Sequence, residues 1–189
     1  MLITSVNNNH IKEIVKLKDK KYRDECNKFL VDTKHLVMEA YKENLIEELI
    51  LYKDEIYPLD VNTLYVSKEI LKKISQTNTP SKVMAVVNKK EESDIIGEKI
   101  LILDNIQDPG NLGTILRTCL ALNIKNIIVS KDCCSIYNLK AIQSSEGALF
   151  KVNIKVGDIS LLKNLKEEGY RIVSTSLSKD SILLNNLEY

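Results

Sequence analysis

The sequence predicts an α/β protein in which a small N-terminal α/β unit precedes a domain built on a parallel sheet. In the second half, continuous apolar runs alternate with amphipathic segments, as in parallel sheets covered on both faces. In the first half, strand and helix patterns fill about ninety residues, a common domain size. The charged segment 88–99 is the best linker candidate, so we expect domains at 1–90 and 98–189.

The first half contains patterns for three helices and four strands. Ile11, Ile14 and Val15 have helical spacing and predict a short first helix. Thr33 can cap a second helix, because its hydroxyl can accept a hydrogen bond from a backbone N–H near the helix start. The predicted strands are KFLVD, ELILY, TLYVS and KVMAVVN, and the third helix is KEILKKIS.

The second half alternates strictly between strands and helices. The predicted strands are KILILD, NIIVS, LFKVNI and YRIVSTS, and the helices begin at Asn111, near NLKAIQSS and at ISLLKNLKEE. In the first of these helices, Leu112, Leu116 and Cys119 form an apolar stripe. Ligands of such sheets bind beyond the carboxyl ends of the strands, which directs attention to the loop after KILILD.

Composition excludes several classes of protein. The 189 residues include 27 Lys and Arg against 26 Asp and Glu, so a site for a polyanion has to be a local patch. No apolar run approaches the roughly 20 residues that span a bilayer. The N-terminus lacks the basic start and apolar core of a signal peptide, and we therefore expect a cytoplasmic protein.

The four cysteines show neither zinc-site spacing nor the density of a secreted disulfide scaffold, so reduced thiols are expected. Cys133 and Cys134 are adjacent and could be either a redox pair or two ordinary thiols. His10 and His35 fall on predicted helices with no Cys or His at ligand spacing nearby. We therefore predict no metal site.

The loop after KILILD is unusually polar for a strand-to-helix connection. Pro109 fixes one backbone angle, Gly110 and Gly113 permit close approach or unusual φ, and Asn111 is a good helix cap. A helix N-terminus favours a phosphate, a carboxylate or a ribose hydroxyl. The alternative is a tight turn that binds nothing.

Arg117 lies two turns into the same helix, at the edge of the apolar stripe. A partly desolvated guanidinium there would meet a phosphate or a carboxylate of a ligand, and a salt bridge within the protein is the alternative. The loop has neither the Gly-Lys-Ser/Thr of a phosphate-binding loop nor the Gly-x-Gly-x-x-Gly of a dinucleotide fold. A dehydrogenase or a nucleotide-binding domain is therefore disfavoured.

The segment LDNIQDPGNLGTILRTCLALNI resembles the first signature of the SpoU, or TrmH-like, ribose methyltransferases of the knotted SPOUT class, Asp-x-x-x-Asp-Pro-x-Asn-x-Gly-x-x-x-Arg-Thr. YNLKAIQSSEGALFKV is similar to the family segment that ends in Ser-x-Gly-Ala-x-Phe, with Leu139 and Gln143 where Pro and Arg are common. KKYRDECNKFLVDTKHLVMEA and ISQTNTPSKVMAVV resemble the family's small RNA substrate-binding domain, whose fold is shared with certain ribosomal proteins. There Asp32 and Thr33 replace Glu-Gly.

This resemblance implies transfer of a methyl group from S-adenosylmethionine to a ribose 2′-hydroxyl of RNA, most often ribosomal RNA, without a metal and in a homodimer. Asn111 and Arg117 match the family's functional Asn and Arg. Asn111 would orient the ribose, and Arg117 would stabilise the developing alkoxide or assist proton removal with an RNA phosphate. Ser145, in the second signature, is an expected RNA contact. The residues that match the region edging the cofactor are Thr175, Ser176 and Leu177.

The C-terminal part departs from the family pattern. Family chains carry a Gly-x-Glu-x-x-Gly loop and a Leu-Asn loop, which form the knot, most of the cofactor pocket and much of the dimer contact. No glycine follows Gly169 here, so the parallel-sheet domain is expected to lack its knot. The chain is then either part of a longer methyltransferase or a short relative that binds RNA without methylating it.

The alternative of a non-catalytic RNA-binding module depends on a basic stretch near the N-terminus. Between residues 12 and 23, six basic residues stand against only Glu13 and Asp19. Such residues could contact RNA phosphates, with the salt dependence of counterion release, or they could form an ordinary solvated helix face. The candidate RNA contacts are Lys18, Lys20, Lys21 and Arg23.

Overall fold

A computed structural model describes residues 2–158, 160–175, 178–179, 181–183 and 186 of the chain. The chain divides into two compact units, residues 1–157 and 158–189. No helix in the described part of the chain is long and apolar enough to cross a membrane.

A mixed five-stranded sheet forms the N-terminal part of the first unit. Its strands are β1 (Leu2–Ile3), β2 (Lys28–Asp32), β3 (Ile46–Tyr52), β4 (Thr63–Val66) and β5 (Val83–Asn88), in the order β1-β4-β3-β5-β2. β5 is antiparallel to both β2 and β3, whereas β4 is parallel to β1 and β3. All four strands predicted from the first half are therefore present.

Four helices accompany this sheet: α1 (Asn9–Lys16), α2 (Lys20–Cys26), α3 (Lys34–Lys42) and α4 (Lys68–Ile74). Thr33 caps α3 as predicted, because its hydroxyl accepts a hydrogen bond from Leu36 N at 3.2 Å. α1 and α4 bury Ile11 and Ile70 in a core on one face of the sheet. α2 was not predicted, since its residues present no apolar stripe.

The second sheet has three parallel strands, β6 (Ile100–Leu103), β7 (Asn126–Ser130) and β8 (Asn153–Gly157), in that order. Helix α5 (Pro109–Ala121) connects β6 to β7, and α6 (Leu139–Ser144) follows β7. The predicted parallel sheet is thus confirmed. The strand predicted at LFKVNI begins later than expected, because Ala148–Phe150 form a 3₁₀ turn after Gly147, whose φ is +87°.

One apolar core joins the two sheets within the first unit. The ring of Phe29, on β2, lies 4.7 Å from the Tyr137 ring and 6.3 Å from the Phe150 ring, measured between centroids. Leu112 and Leu116 of α5 belong to the same buried cluster. Burying a large apolar side chain contributes about 1.5–3 kcal/mol, so these contacts stabilise the end of β6 on which the candidate site is built.

The second unit contains helix α7 (Leu161–Glu167). The strand predicted at YRIVSTS is not present, since residues 170–175 form neither helix nor strand. Ile172 and Val173, which a buried strand would cover, are exposed. The preference of these residues for strands was a misleading signal, because a strand depends on pairing and packing as well as on composition.

Candidate functional site

The site predicted from the signature lies where β6 ends and α5 begins. Asp108 caps α5, and its Oδ1 accepts a hydrogen bond from Asn111 N at 2.8 Å. Pro109 occupies the first helical position, where its missing N–H costs nothing. The prediction that Asn111 caps the helix was therefore wrong. Asn111 lies in the first turn with its side chain exposed and making no hydrogen bond within the described residues.

The loop between β6 and α5 is held by the loop that follows β7. Asn105 N donates to Ser130 Oγ at 3.1 Å, and Ile106 N donates to Cys133 Sγ at 3.1 Å. Cys134 N donates in turn to Ile106 O at 2.8 Å. Both cysteines are free thiols, and Cys133 acts as a hydrogen-bond acceptor in this arrangement. Neighbouring parallel strands thus fix the backbone that carries the signature.

Gly113 allows α5 to approach α6 closely, which is one of the two roles, close approach or unusual φ, that the sequence leaves open. A Cβ atom built on Gly113 would lie 2.3 Å from Ala141 O and 2.9 Å from Ser145 N, closer than real atoms come. Ser145 itself is 1% exposed, and its hydroxyl donates to Ile142 O at 2.8 Å. The structure therefore contradicts the expectation that Ser145 contacts RNA, because the side chain is enclosed beneath the site.

Arg117 is exposed and makes no hydrogen bond or ion pair within the described residues. The sequence leaves two environments open for Arg117, partial burial or a salt bridge within the protein. The structure shows neither of them. Arg117 and Asn111 are about 9 Å apart along the helix axis, from the rise per residue. Between and beside them, Thr114 and Thr118 donate their hydroxyls to carbonyls one turn earlier, each at 2.9 Å. Asn111 and Arg117, about 120° apart around the helix, therefore carry side-chain donors on the exposed surface of α5 that no described residue engages.

Asp108 also forms an ion pair with Lys140, whose Nζ lies 2.9 Å from Oδ2. The hydrogen bond from Lys140, followed by that from Asn111 N, holds the pKa of Asp108 below its usual range. The carboxylate and the ammonium offset each other at the start of α5. Arg117, the single charged residue in Pro109–Ala121, then determines the charge of the exposed face.

The basic stretch is largely committed to internal contacts. Arg23 is 7% exposed, and its Nη1 donates to two backbone carbonyls at the end of α1, at 3.0 and 2.8 Å. Lys18 donates to a carbonyl in the loop after α4 at 2.8 Å, and Lys21 lies 3.9 Å from Glu25. The expected phosphate contact by Arg23 is contradicted, since the side chain is buried and its Nη1 connects α2 to the end of α1, while its Nε has no hydrogen-bond partner among the described residues. Lys20 is exposed.

The structure describes one of the three residues predicted to edge the cofactor. Thr175 is exposed, whereas Ser176 and Leu177 lie outside the described residues. The predicted cofactor edge at these residues therefore stays a prediction. Among the described residues, no group of three His, Cys, Asp or Glu side chains could hold a metal. His10 instead contacts Glu48, with 2.7 Å between Nε2 and Oε2.

Sequence comparison finds related proteins over nearly the whole chain. The model of the SpoU rRNA Methylase family matches residues 98–189, and that of the MRM3-like substrate binding domain matches residues 8–85. The 23S rRNA (guanosine(2553)-2′-O)-methyltransferase RlmP of Bacillus subtilis is 34% identical over 181 residues, which cover 93% of this chain and 73% of RlmP. The human mitochondrial rRNA methyltransferase 3 is 26% identical, and the match covers 73% of this chain and 37% of the human protein.

Solved structures share the fold. An AdoMet-bound rRNA methyltransferase from Sinorhizobium meliloti superimposes with a TM-score of 0.77 at 24% identity, covering 88% of this chain and 68% of that one. An RNA 2′-O ribose methyltransferase superimposes with a TM-score of 0.72 at 25% identity, covering 89% and 70%. Together with the signature on α5 and the RlmP match, these findings show that the chain belongs to the SpoU rRNA methylase family.

Proposed function

We propose that the chain serves the S-adenosylmethionine-dependent 2′-O-methylation of a ribose in ribosomal RNA. The observation that carries this proposal is the exposed surface of α5, where Asn111, beside the carboxyl end of β6, and Arg117, nearly two turns further along the helix, present uncommitted donors. The 34% identity with RlmP, which is named for this reaction on 23S rRNA, supports the same substrate class. In this proposal residues 1–90 recognise the RNA and residues 98–189 carry the reaction.

A ribose 2′-hydroxyl is a weak nucleophile until its proton leaves and negative charge develops on its oxygen. Arg117 stays protonated, so it stabilises that charge directly or positions an RNA phosphate that takes the proton. The Asn111 amide can hold the ribose by donating to one oxygen and accepting from a hydroxyl. When bound, S-adenosylmethionine would supply an electrophilic methyl group.

A non-catalytic RNA-binding role is the second candidate. One observation favours it: residues 8–85 match the model of a substrate binding domain. Under this alternative, Asn111 and Arg117 contact the ribose and the phosphate of a bound nucleotide without transferring a methyl group. The N-terminal half would then provide most of the affinity.

Calorimetric titration of S-adenosylmethionine into the chain, followed by transfer of labelled methyl to a 23S rRNA transcript, separates the two candidates. Catalysis predicts cofactor binding and a loss of transfer by Arg117→Ala of about 10²–10³-fold, the usual effect of removing a group that stabilises developing charge. Arg117→Ala should fold normally because its side chain is exposed. RNA binding without cofactor binding would instead support the binding module.

A further inference from the structure

A small cavity in the N-terminal half has only lysines as its charged lining. It measures about 240 Å³ and is bounded by Tyr52, Lys68, Leu71, Lys72, Pro80 and Lys82, which we name the lysine pocket. Asp54, Glu55 and Glu69 are the carboxylates near the lining residues in the chain, and none of them lines the cavity. The larger cavity of about 810 Å³ beside the end of β7 has four lysines and three carboxylates in its lining, so its charges nearly cancel.

The three lysines that line the lysine pocket come from two segments of the chain. Lys68 and Lys72 are one turn apart on α4 and therefore share a side of that helix. Lys82 immediately precedes β5. Lys68 and Lys72 make no hydrogen bond or ion pair within the described residues, and Lys82 Nζ lies 4.0 Å from Glu55 Oε2. The lining itself therefore carries only positive charge, and two carboxylates outside it, Glu55 beside Lys82 and Glu69 near Lys68 and Lys72, offset part of that charge.

One wall of the lysine pocket is held by a buried carboxylate. Asp32, 6% exposed, accepts hydrogen bonds from Ser75 Oγ at 2.8 Å and from Ser81 N at 3.1 Å. A third hydrogen bond, of 3.2 Å, comes from Thr77 Oγ1. Asp32 therefore fixes the loop that contains Pro80 and leads to Lys82. A site whose walls are already ordered loses less entropy when it binds a ligand.

The lining indicates the class of ligand. Three lysines favour binding of the negatively charged oxygens of a phosphate group. Tyr52 and Leu71 offer an apolar surface beside them, which suits contact with a sugar or a base. The volume lies below the range of about 300–1,000 Å³ typical of pockets for small molecules. This favours one nucleotide unit of a longer chain over an enclosed free ligand.

We propose that the lysine pocket binds a backbone phosphate of the substrate RNA, with the adjoining sugar or base against Tyr52. The inference rests on the proposed function and names the surface through which the N-terminal half recognises RNA. The proposed RNA-binding surface is therefore the lysine pocket and not the α1–α2 stretch, where Arg23, Lys18 and Lys21 already have partners within the protein. It lies inside residues 8–85, the part that matches a substrate-binding domain.

The test compares two charge-matched triple variants, measured as RNA affinity by fluorescence anisotropy over a range of KCl concentrations. The probes are a single-stranded 12-nucleotide RNA and a 23S rRNA transcript. The pocket variant replaces Lys68, Lys72 and Lys82 by Gln, and the control variant replaces Lys12, Lys20 and Lys21 by Gln. All six side chains are exposed, so both variants should fold, which circular dichroism and thermal unfolding check.

We expect the pocket variant to lose affinity at least tenfold, with the slope of log K against log salt reduced by about 0.7, the value for one phosphate of a single strand. The control variant should stay within about twofold of the wild type, with an unchanged slope. Equal losses in both variants, or no loss in the pocket variant, would overturn the inference while leaving RNA binding intact. A wild-type chain that binds neither RNA would overturn the proposed function as well.

Discussion

The Glu39 carboxylate forms an ion pair with Lys151, a residue 112 positions further along the chain. Its other oxygen accepts a hydrogen bond from Lys42 at 2.6 Å. Glu39 belongs to α3, beside the five-stranded sheet, whereas Lys151 leads into β8 of the parallel sheet. The side chain is 7% exposed and packs against Gly147, where a Cβ would lie 2.8 Å from Glu39 Cγ. This buried charge therefore connects the two sheets.

The ion pair between Glu39 and Lys151 should make the free energy of unfolding depend on pH in the acidic range. The hydrogen bonds from Lys151 and Lys42 lower the pKa of Glu39 from its ordinary 4.5 to about 2. Because the folded state holds the carboxylate ionised, the stabilisation is complete above about pH 4.5 and is lost as pH falls through about 2. We expect urea unfolding of Glu39→Gln to lose the part of the pH dependence that lies in this window.

An exposed glutamate provides the control for that measurement. Glu98→Gln changes the same chemical group at an exposed position without an ion pair in the described structure, and it should retain the wild-type pH profile. If Glu39→Gln and the wild type gave parallel curves from pH 4.5 to 2, the ion pair would not contribute to the acid sensitivity of the fold.

Gly113→Ala should destabilise the protein by about 1–3 kcal/mol or more, as overpacking in a core does. The added Cβ would meet Ala141 O, a backbone atom of α6 that cannot turn aside. Gly110→Ala is the comparison and should cost less, because the atoms nearest its Cβ belong to the side chains of Lys140 and Asp108 and not to the backbone. Urea unfolding would measure both, and equal losses would contradict close helix approach as the reason for Gly113.

The Cys133 thiol should matter as an acceptor rather than as a redox group. Cys133→Ala leaves Ile106 N without its partner and should cost about 1–3 kcal/mol of unfolding free energy, the usual penalty for such a group. Cys133→Ser keeps an acceptor and should retain most of the stability. Hydrogen exchange at the Ile106 amide checks the mechanism, since exchange should accelerate in the Ala variant and less so in the Ser variant.

Arg23→Met tests whether Arg23 is structural. Its guanidinium donates to the carbonyls of Leu17 and Lys18, so we expect a loss of about 1.5–3 kcal/mol of unfolding free energy, typical of hydrogen bonds from charged groups. Below the melting transition, affinity for RNA should remain that of the wild type. A tenfold weaker complex without a change in stability would restore Arg23 as a phosphate contact.

Regular elements with strong apolar patterns could be predicted from the sequence. Leu112, Leu116 and Cys119 are buried on α5 as their spacing indicates, and KFLVD forms β2 with the expected bounds. α2 offered no such pattern, because Tyr22 and Cys26 are its only apolar residues and both are only partly buried. A capping residue and a turn, Asp19 and Asn27, define that helix instead.

The position of the candidate site along the chain could be predicted, but the contacts that hold its loop in place could not. The signature places Asn111 and Arg117 after a strand, and that placement follows from local order along the chain. Ser130 and Cys133 hold the same loop from 25 and 27 residues away, a contact that depends on which strands pair. Charge counting likewise favoured the α1–α2 stretch, because a sequence does not show that Arg23 is buried and that its Nη1 donates to backbone carbonyls.

The shared core has a consequence for synthesis on the ribosome. β2 to β5 can complete their ladder once Asn88 has emerged, since every partner of these strands is then available. The rings that cover Phe29, those of Tyr137 and Phe150, are translated much later. During that interval Phe29 lacks these two ring contacts, although α3, whose Leu36 and Val37 belong to the same buried cluster, is already present. Apolar surface that waits for a later segment makes a folding intermediate prone to aggregation.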